Sequence, residues 1–154
     1  MKTESSYLKV VFLIERLHRL FLENIKADLD DARIYDINNT QALILYNIGK
    51  DQVSVGELTQ RGYYLGSNVS YNLRKMVEND FLIQEASPHD KRSTIVKLSS
   101  KGLKLYEFMS RVMEKHVEAL NKEGIVDKLF GDTVNQLKSL EKLWIQGKGS
   151  LSFK

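Results

Sequence analysis

From about Ser6 to Asp30, apolar side chains recur at steps of three and four: Tyr7, Val10, Val11, Ile14, Leu17, His18, Phe21, Ile25 and Leu29. Such spacing draws one stripe down a long helix. Asp28, Asp30, Asp31 and Arg33 then mark a polar break. A second helix is predicted from Asn38–Asn39–Thr40, where Asn38 and Gln41 resemble a capping box, with Ala42, Leu43, Leu45, Tyr46 and Ile48 as its body and Gly49 as its stop. Ser54 and Glu57 form a better capping box, opening a short helix that ends near Gly62. A turn through Tyr63, Tyr64, Leu65 and Gly66 leads to a helix from Ser67 to Asn79, with Val69, Leu73, Met76 and Val77 facing inward. Residues 81–86 and 93–98 read as two strands around the turn Ser-Pro-His-Asp-Lys-Arg, a β-hairpin with a basic tip. Ser99–Gly102 caps a long helix carrying Leu103, Tyr106, Met109, Val112, Met113, Val117 and Leu120. Gly124 and Gly131 bracket a break before a last helix with Val134, Leu137, Leu140, Leu143, Trp144 and Ile145, and the tail 147–154 is expected to fray.

Helix, helix, short helix, turn, helix, β-hairpin and two helices is the order of a winged helix-turn-helix flanked by long helices. The expected fold is mainly α with a small β-hairpin wing, in one domain. Residues 6–35 and 100–146 would be dimerisation helices, and 38–98 the winged lobe. The end helices carry more apolar surface than so small a lobe can cover, which points to a partner chain.

Composition narrows the chemistry. The 154 residues hold 23 Lys and Arg against 20 Asp and Glu, a net charge of +3 that suits nucleic acid without requiring it. With no cysteine, disulfide scaffolds, thiolate metal sites, cysteine nucleophiles and peroxide-sensing thiols are excluded. A single proline agrees with long helices. No apolar run approaches the roughly 20 residues of a membrane helix, and no signal-peptide pattern opens the chain, so a cytoplasmic protein without membrane association is expected. His18, His89 and His116 are too scattered to indicate a metal site, and no cofactor is expected. The chain has no G-x-S-x-G elbow, no H-E-x-x-H and no phosphate-binding lysine loop, so catalysis is not expected.

On the helix from Ser67 to Asn79, the side opposite the apolar stripe shows Ser67, Ser70, Tyr71, Arg74, Lys75 and Glu78, with Asn68 at the N-terminal rim. Hydroxyls and an amide at a helix start can approach phosphates, Asn can pair with adenine, and Arg74 and Lys75 add charge. The set suits a recognition helix entering a major groove N-terminus first. Periodicity alone does not separate this from an ordinary solvated face. The hairpin tip, Pro88–His89–Asp90–Lys91–Arg92, breaks the tie. An arginine on a thin β-loop can reach the strongly negative minor groove. Asp90 would hold Arg92, or the first helix of the motif, and so aim the loop.

The stretch SPHDKRSTIVKLSSKG resembles the wing signature of the multiple-antibiotic-resistance regulators, the MarR family, through Asp90, Arg92, Leu98, Ser99 and Gly102. SVGELTQRG followed by GSNVSYNLRKMVENDFLI resembles that family's helix-turn-helix. The resemblance implies a homodimer held by the terminal helices, with two lobes on a pseudo-palindromic operator in double-stranded DNA, most often as a repressor. Carried over by position, Ser67, Asn68, Ser70, Tyr71 and Lys75 would meet DNA, with Arg92 doing so from the wing. Tyr71 stands where many members have Arg, so base preference does not carry over. Asp80 stands where the family usually has Gly and would have to adopt the left-handed conformation. The run YYLGSNVSYNLRKM is similar to an alphaproteobacterial subgroup that includes a regulator of L,D-transpeptidase and cell-wall genes. The family also implies a small aromatic or phenolic effector, for which His18, Phe21, Tyr35, Tyr46 and Tyr106 are candidate lining residues, each also open to a reading as plain packing. Two other readings are a winged-helix protein-interaction module and a ligand-binding module, neither with specific DNA readout.

Overall fold

The computed structural model of the chain describes residues 5–62, 66–125 and 127–147. The turn expected at Tyr63–Leu65 and the tail from residue 148 lie outside the described residues. Among the described residues, six helices and three strands run in the order α1 (Ser6–Asp31), α2 (Asn39–Ile48), β1 (Val53–Ser54), α3 (Val55–Gly62), α4 (Gly66–Glu78), β2 (Leu82–Ala86), β3 (Thr94–Leu98), α5 (Ser100–Lys122) and α6 (Asp127–Gln146). The chain packs as two compact units that divide between Val112 and Met113, within α5. Among the described residues no helix is long and apolar enough to cross a membrane.

Caps account for most boundaries. The Ser5 hydroxyl accepts the Leu8 N–H at 3.2 Å and starts α1. At α2 the full capping box forms: Asn38 Oδ1 accepts the Gln41 N–H at 2.8 Å, and Gln41 Oε1 accepts the Asn38 N–H at 3.2 Å. Gly49, at φ 72°, ends that helix in a conformation open to glycine. Ser54 Oγ accepts the Glu57 N–H at 3.0 Å. Ser99 Oγ accepts the Gly102 N–H at 3.0 Å and opens α5.

The core of the first unit gathers Ile25 and Leu29 of α1, Ile44 and Leu45 of α2, Leu58 of α3, Val69 and Met76 of α4, Val96 of β3 and Met109 of α5. The inner face expected for α4 is the observed one, with Val69, Leu73 and Met76 buried and Val77 half-buried. The wing is more than a hairpin. β1 adds to it, giving a three-stranded antiparallel sheet in the order β1-β3-β2, with Val53 opposite Val96 and Leu82 opposite Leu98.

Two expectations about the flanking helices need correction. On α5 the buried residues are Gly102, Leu105, Met109 and Val112, while Leu103 is exposed. The helix is rotated because Gly102 sits against the Phe81 carbonyl: a Cβ there would stand 2.2 Å from that oxygen. Gly131 lies inside α6 instead of in the break, with nothing within 4 Å of a Cβ built on it; a helix can absorb such a glycine at about 1 kcal/mol. Only the C-terminal part of the α1 stripe is buried within this chain, at Ile25 and Leu29. Tyr7, Val10, Ile14 and Leu17 are exposed, as are Leu129, Phe130, Val134 and Trp144 of α6. These two surfaces are the apolar surplus expected of the end helices.

Candidate nucleic-acid interface

The junction that carries the wing is built from short-range chemistry. Asp80 turns the chain out of α4 with φ 64°, the left-handed conformation expected of it. The Phe81 carbonyl then accepts both the Ser99 N–H and the Ser99 hydroxyl at 3.0 Å. Lys101 closes the turn by donating to the Asn79 carbonyl at 2.9 Å, with its Nζ 4.3 Å from the Phe81 ring centroid. Leu98, Ser99 and Gly102 of the wing signature therefore fasten β3 and α5 to the end of α4.

At the tip, Asp90 aims the loop through its backbone. Its carboxylate accepts the Arg92 N–H at 2.9 Å and the Ser93 hydroxyl at 3.3 Å, while Ser87 donates its N–H to the Ser93 carbonyl at 2.9 Å. The loop is thus set without engaging the Arg92 guanidinium. Arg74, Lys91 and Arg92 have no ion-pair partner among the described residues, and all three are exposed. The wing strands carry a cross-strand pair, Lys97 to Glu85 at 3.1 Å, too exposed to contribute much.

A cleft of about 610 Å³ joins these pieces. Its lining includes Ser54 and Gly56 at the start of α3, Ser70 and Arg74 on α4, and Gln84, Arg92 and Thr94 on the wing. Two sequence-predicted residues of α4 and the wing arginine thus share one concavity. Tyr71 and Lys75 lie on the exposed side of α4, the Lys75 Nζ standing 5.9 Å from the Tyr71 ring centroid and 3.3 Å from a Glu78 carboxylate oxygen. Lys75 is therefore partly engaged within its own helix, and Tyr71 is 54% exposed. Asn68 is exposed at the helix start, and the side chain of Ser67 lies outside the described residues.

Sequence reasoning missed Asn72, on the inner side of α4. Its Oδ1 accepts from Gln41 Nε2 at 3.2 Å, and its Nδ2 donates to the Asn68 carbonyl at 2.9 Å. An asparagine between two apolar positions of an amphipathic helix was the available signal. Of the five candidate effector-lining residues, Tyr46 and Tyr106 meet, their rings stacked with centroids 5.2 Å apart and Lys50 Nζ 5.7 Å from the Tyr106 centroid. Tyr35 is 74% exposed in the turn after α1, and His18 and Phe21 lie on α1. Among the described residues, no group of three or more His, Cys, Asp or Glu could hold a metal ion.

A helix-turn-helix whose second helix and three-stranded wing open onto one cleft lined by Arg74 and Arg92 defines a winged helix-turn-helix. A family model described as MarR family matches residues 35–93, from the turn before α2 through the wing tip. The exopolysaccharide II synthesis transcriptional activator ExpG of Rhizobium meliloti is 36% identical over 140 residues, which cover 90% of this chain and 72% of that protein. The chain belongs to the MarR family of winged-helix transcriptional regulators, and the relatives it matches are regulators, not enzymes. Among solved structures, the S. aureus MepR–DNA complex shares the fold with a TM-score of 0.72 at 19% identity, covering 91% of this chain and 99% of that one. S. aureus MarR in complex with salicylate and kanamycin gives 0.69 at 25% identity, over 92% and 95%.

Proposed function

We propose that this regulator acts as a homodimer that reads a pseudo-palindromic operator in double-stranded DNA. The observation that carries the reading is the shared cleft, where Ser70 and Arg74 of α4 and Arg92 of the wing converge with both guanidinium groups unpaired among the described residues. In this reading α4 enters the major groove with Asn68, Ser70 and Tyr71 toward base edges. Arg74 and Lys75 take backbone phosphates, and Arg92 with Lys91 reaches the adjoining minor groove. Asp90 holds the tip, and Ser67 belongs to the same set by position. Residues 38–98 are then the reading lobe, with the dimer contact made from within 6–35 and 100–146. Half-site centres in a two-fold complex would lie about 34–36 Å apart, or a multiple of that.

Selection of genomic fragments by the purified protein tests this reading. The expected outcome is enrichment of one inverted repeat, bound with a steep inverse dependence on salt. No enriched sequence, or binding indifferent to salt, overturns it. On the selected fragment, Arg92→Ala is expected to cost about 1–3 kcal/mol per wing and to flatten the salt slope by about one unit for each positive charge withdrawn from the DNA. Tyr71→Ala should shift the enriched sequence itself, which a change at a phosphate-binding side chain would not do.

Repression is the proposed direction, by occlusion of a promoter; ExpG is named an activator, so transcription from the selected promoter with and without the protein decides the sign. A small aromatic or phenolic effector completes the reading. The Tyr46–Tyr106 stack with Lys50 beside it offers ring faces and a cation, and S. aureus MarR has been solved with salicylate. Linkage requires any such effector to weaken DNA as much as DNA weakens it. The narrower kinship with regulators of L,D-transpeptidase and cell-wall genes rests on the run at 63–76, and the genes beside the enriched fragments test it.

A further inference from the structure

We propose that Gln41 is a positioning residue for DNA readout, linking the α1–α2 linker and the first turn of α2 to the recognition helix α4 through Asn72. The inference deepens the DNA-reading function above and rests on it.

Gln41 is 6% exposed, the only buried polar side chain among the described residues. A capping box needs its Oε1 alone, which accepts the Asn38 N–H at 3.2 Å. The other end of the amide does something a cap does not require. Its Nε2 donates to Asn72 Oδ1 at 3.2 Å, across 31 positions of sequence. Asn72 in turn donates to the Asn68 carbonyl at 2.9 Å. The chain of bonds therefore ends in the first turn of α4, beside the residues proposed to meet base edges. The burial of Gln41 makes the link specific, because its amide, left without Asn72, loses a hydrogen bond that water at the half-buried Asn72 end replaces only in part.

The same linker also grips the far end of α4. Asn79 Nδ2 donates to the Asp36 carbonyl at 3.2 Å, and Lys101 Nζ binds the Asp36 carboxylate. The first turn of α2 is in turn tied to α1, where Asn39 Nδ2 donates to the Leu22 carbonyl at 3.0 Å. Residues 36–41 thus form a polar bracket with one hold on α1 and two on α4. Apolar packing of Val69, Leu73 and Met76 sets how deeply α4 sits, but it tolerates small rotations and slides. Directional hydrogen bonds at two points along the helix resist both. Because α1 carries one of the exposed apolar surfaces proposed for the dimer, the bracket also ties the pitch of α4 to the geometry of the pair.

A double-variant cycle on the full-length protein tests the link, using Gln41→Met, Asn72→Ala and both together. The first readout needs no DNA: amide hydrogen exchange of α4 against that of β2 and β3. Each single variant should speed exchange at the start of α4 by about 5–10-fold, well within the span of effects seen for coupled neighbours, and leave the strands unchanged. The double variant should add little. The second readout compares the fragment selected by the wild-type protein with a scrambled fragment of equal length and composition. Each single variant should weaken the selected fragment by about 5–10-fold and the scrambled one by less than about twofold. Unchanged exchange in α4, losses that multiply in the double variant, or equal losses on both DNAs would each overturn the link. A wild-type protein that prefers no fragment would instead overturn the DNA-reading function, and the exchange measurement would still decide whether Gln41 holds α4.

Discussion

Leu129→Glu, and separately Leu17→Glu, should leave the protein as a folded single chain that no longer holds two half-sites at once. Leu17 on α1 is 52% exposed and Leu129 on α6 is 61% exposed within one chain, so neither supports the lobe that reads DNA. In a dimer contact, however, each glutamate would have to bury a carboxylate among apolar side chains, which costs several kcal/mol unless it is paired. Sedimentation at micromolar concentration should show one species at the mass of a single chain, with the thermal midpoint of the winged lobe unmoved. Affinity for a fragment carrying both half-sites should fall by at least about 100-fold, because the second lobe loses its tether. A fragment with one half-site should be bound as before. A dimer that survives both substitutions would remove the end helices from the interface.

The second large effect concerns stability. Gly102→Ala places a methyl group where the Phe81 carbonyl oxygen would be 2.2 Å away and the Leu98 Cβ 3.3 Å away. Both obstacles are rigid: one is backbone, the other is the first carbon of a side chain fixed in β3. The junction must open, and with it go the two bonds from Ser99 to the Phe81 carbonyl. Overpacking of this kind costs about 1–3 kcal/mol, and at this chain length each kcal/mol lowers the melting temperature by about 2–4 °C. Calorimetry reads the drop directly. A midpoint within about one degree of wild type, below the smallest shift expected, would mean that α5 can move off Phe81 freely.

What was legible in the sequence was what local chemistry determines. Asn38 with Gln41, Ser54 and Ser99 cap helices through bonds that span three residues, so they show in the chain as read; the Ser5 cap works in the same way but lies outside the periodic pattern that marked α1. The turn at Pro88–Arg92 is local in the same way, whereas the left-handed Asp80 followed from the family resemblance, which puts glycine there. Apart from Gly131, which α6 absorbs at a small local cost, the failures were non-local. β1 is two residues long, too short for any alternation to show, and it exists because Val53 and Ser54 pair with Val96 and Ile95 far along the chain. The rotation of α5 follows from the seat of Gly102 on Phe81, so periodicity alone placed Leu103 inward where Leu105 belongs. Within the candidate site, the outward set on α4 and the wing tip followed from the inner face of the helix and the turn. The Gln41–Asn72 link did not, because a side chain already explained as a cap gave no reason to look for a second partner.

The short strand β1 has a mechanical consequence. Anchored to β3 next to the start of α3, the wing is a cantilever, with its load borne at the root by Val53 and Val96 and its free end at Pro88–Arg92. Apart from Asp90, whose carboxylate sets the loop, residues at that free end can be exchanged or recharged without disturbing the beam. On the proposed DNA-reading function, one lobe of this design can thus be retuned to new grooves by drift at its tip while the root stays unchanged.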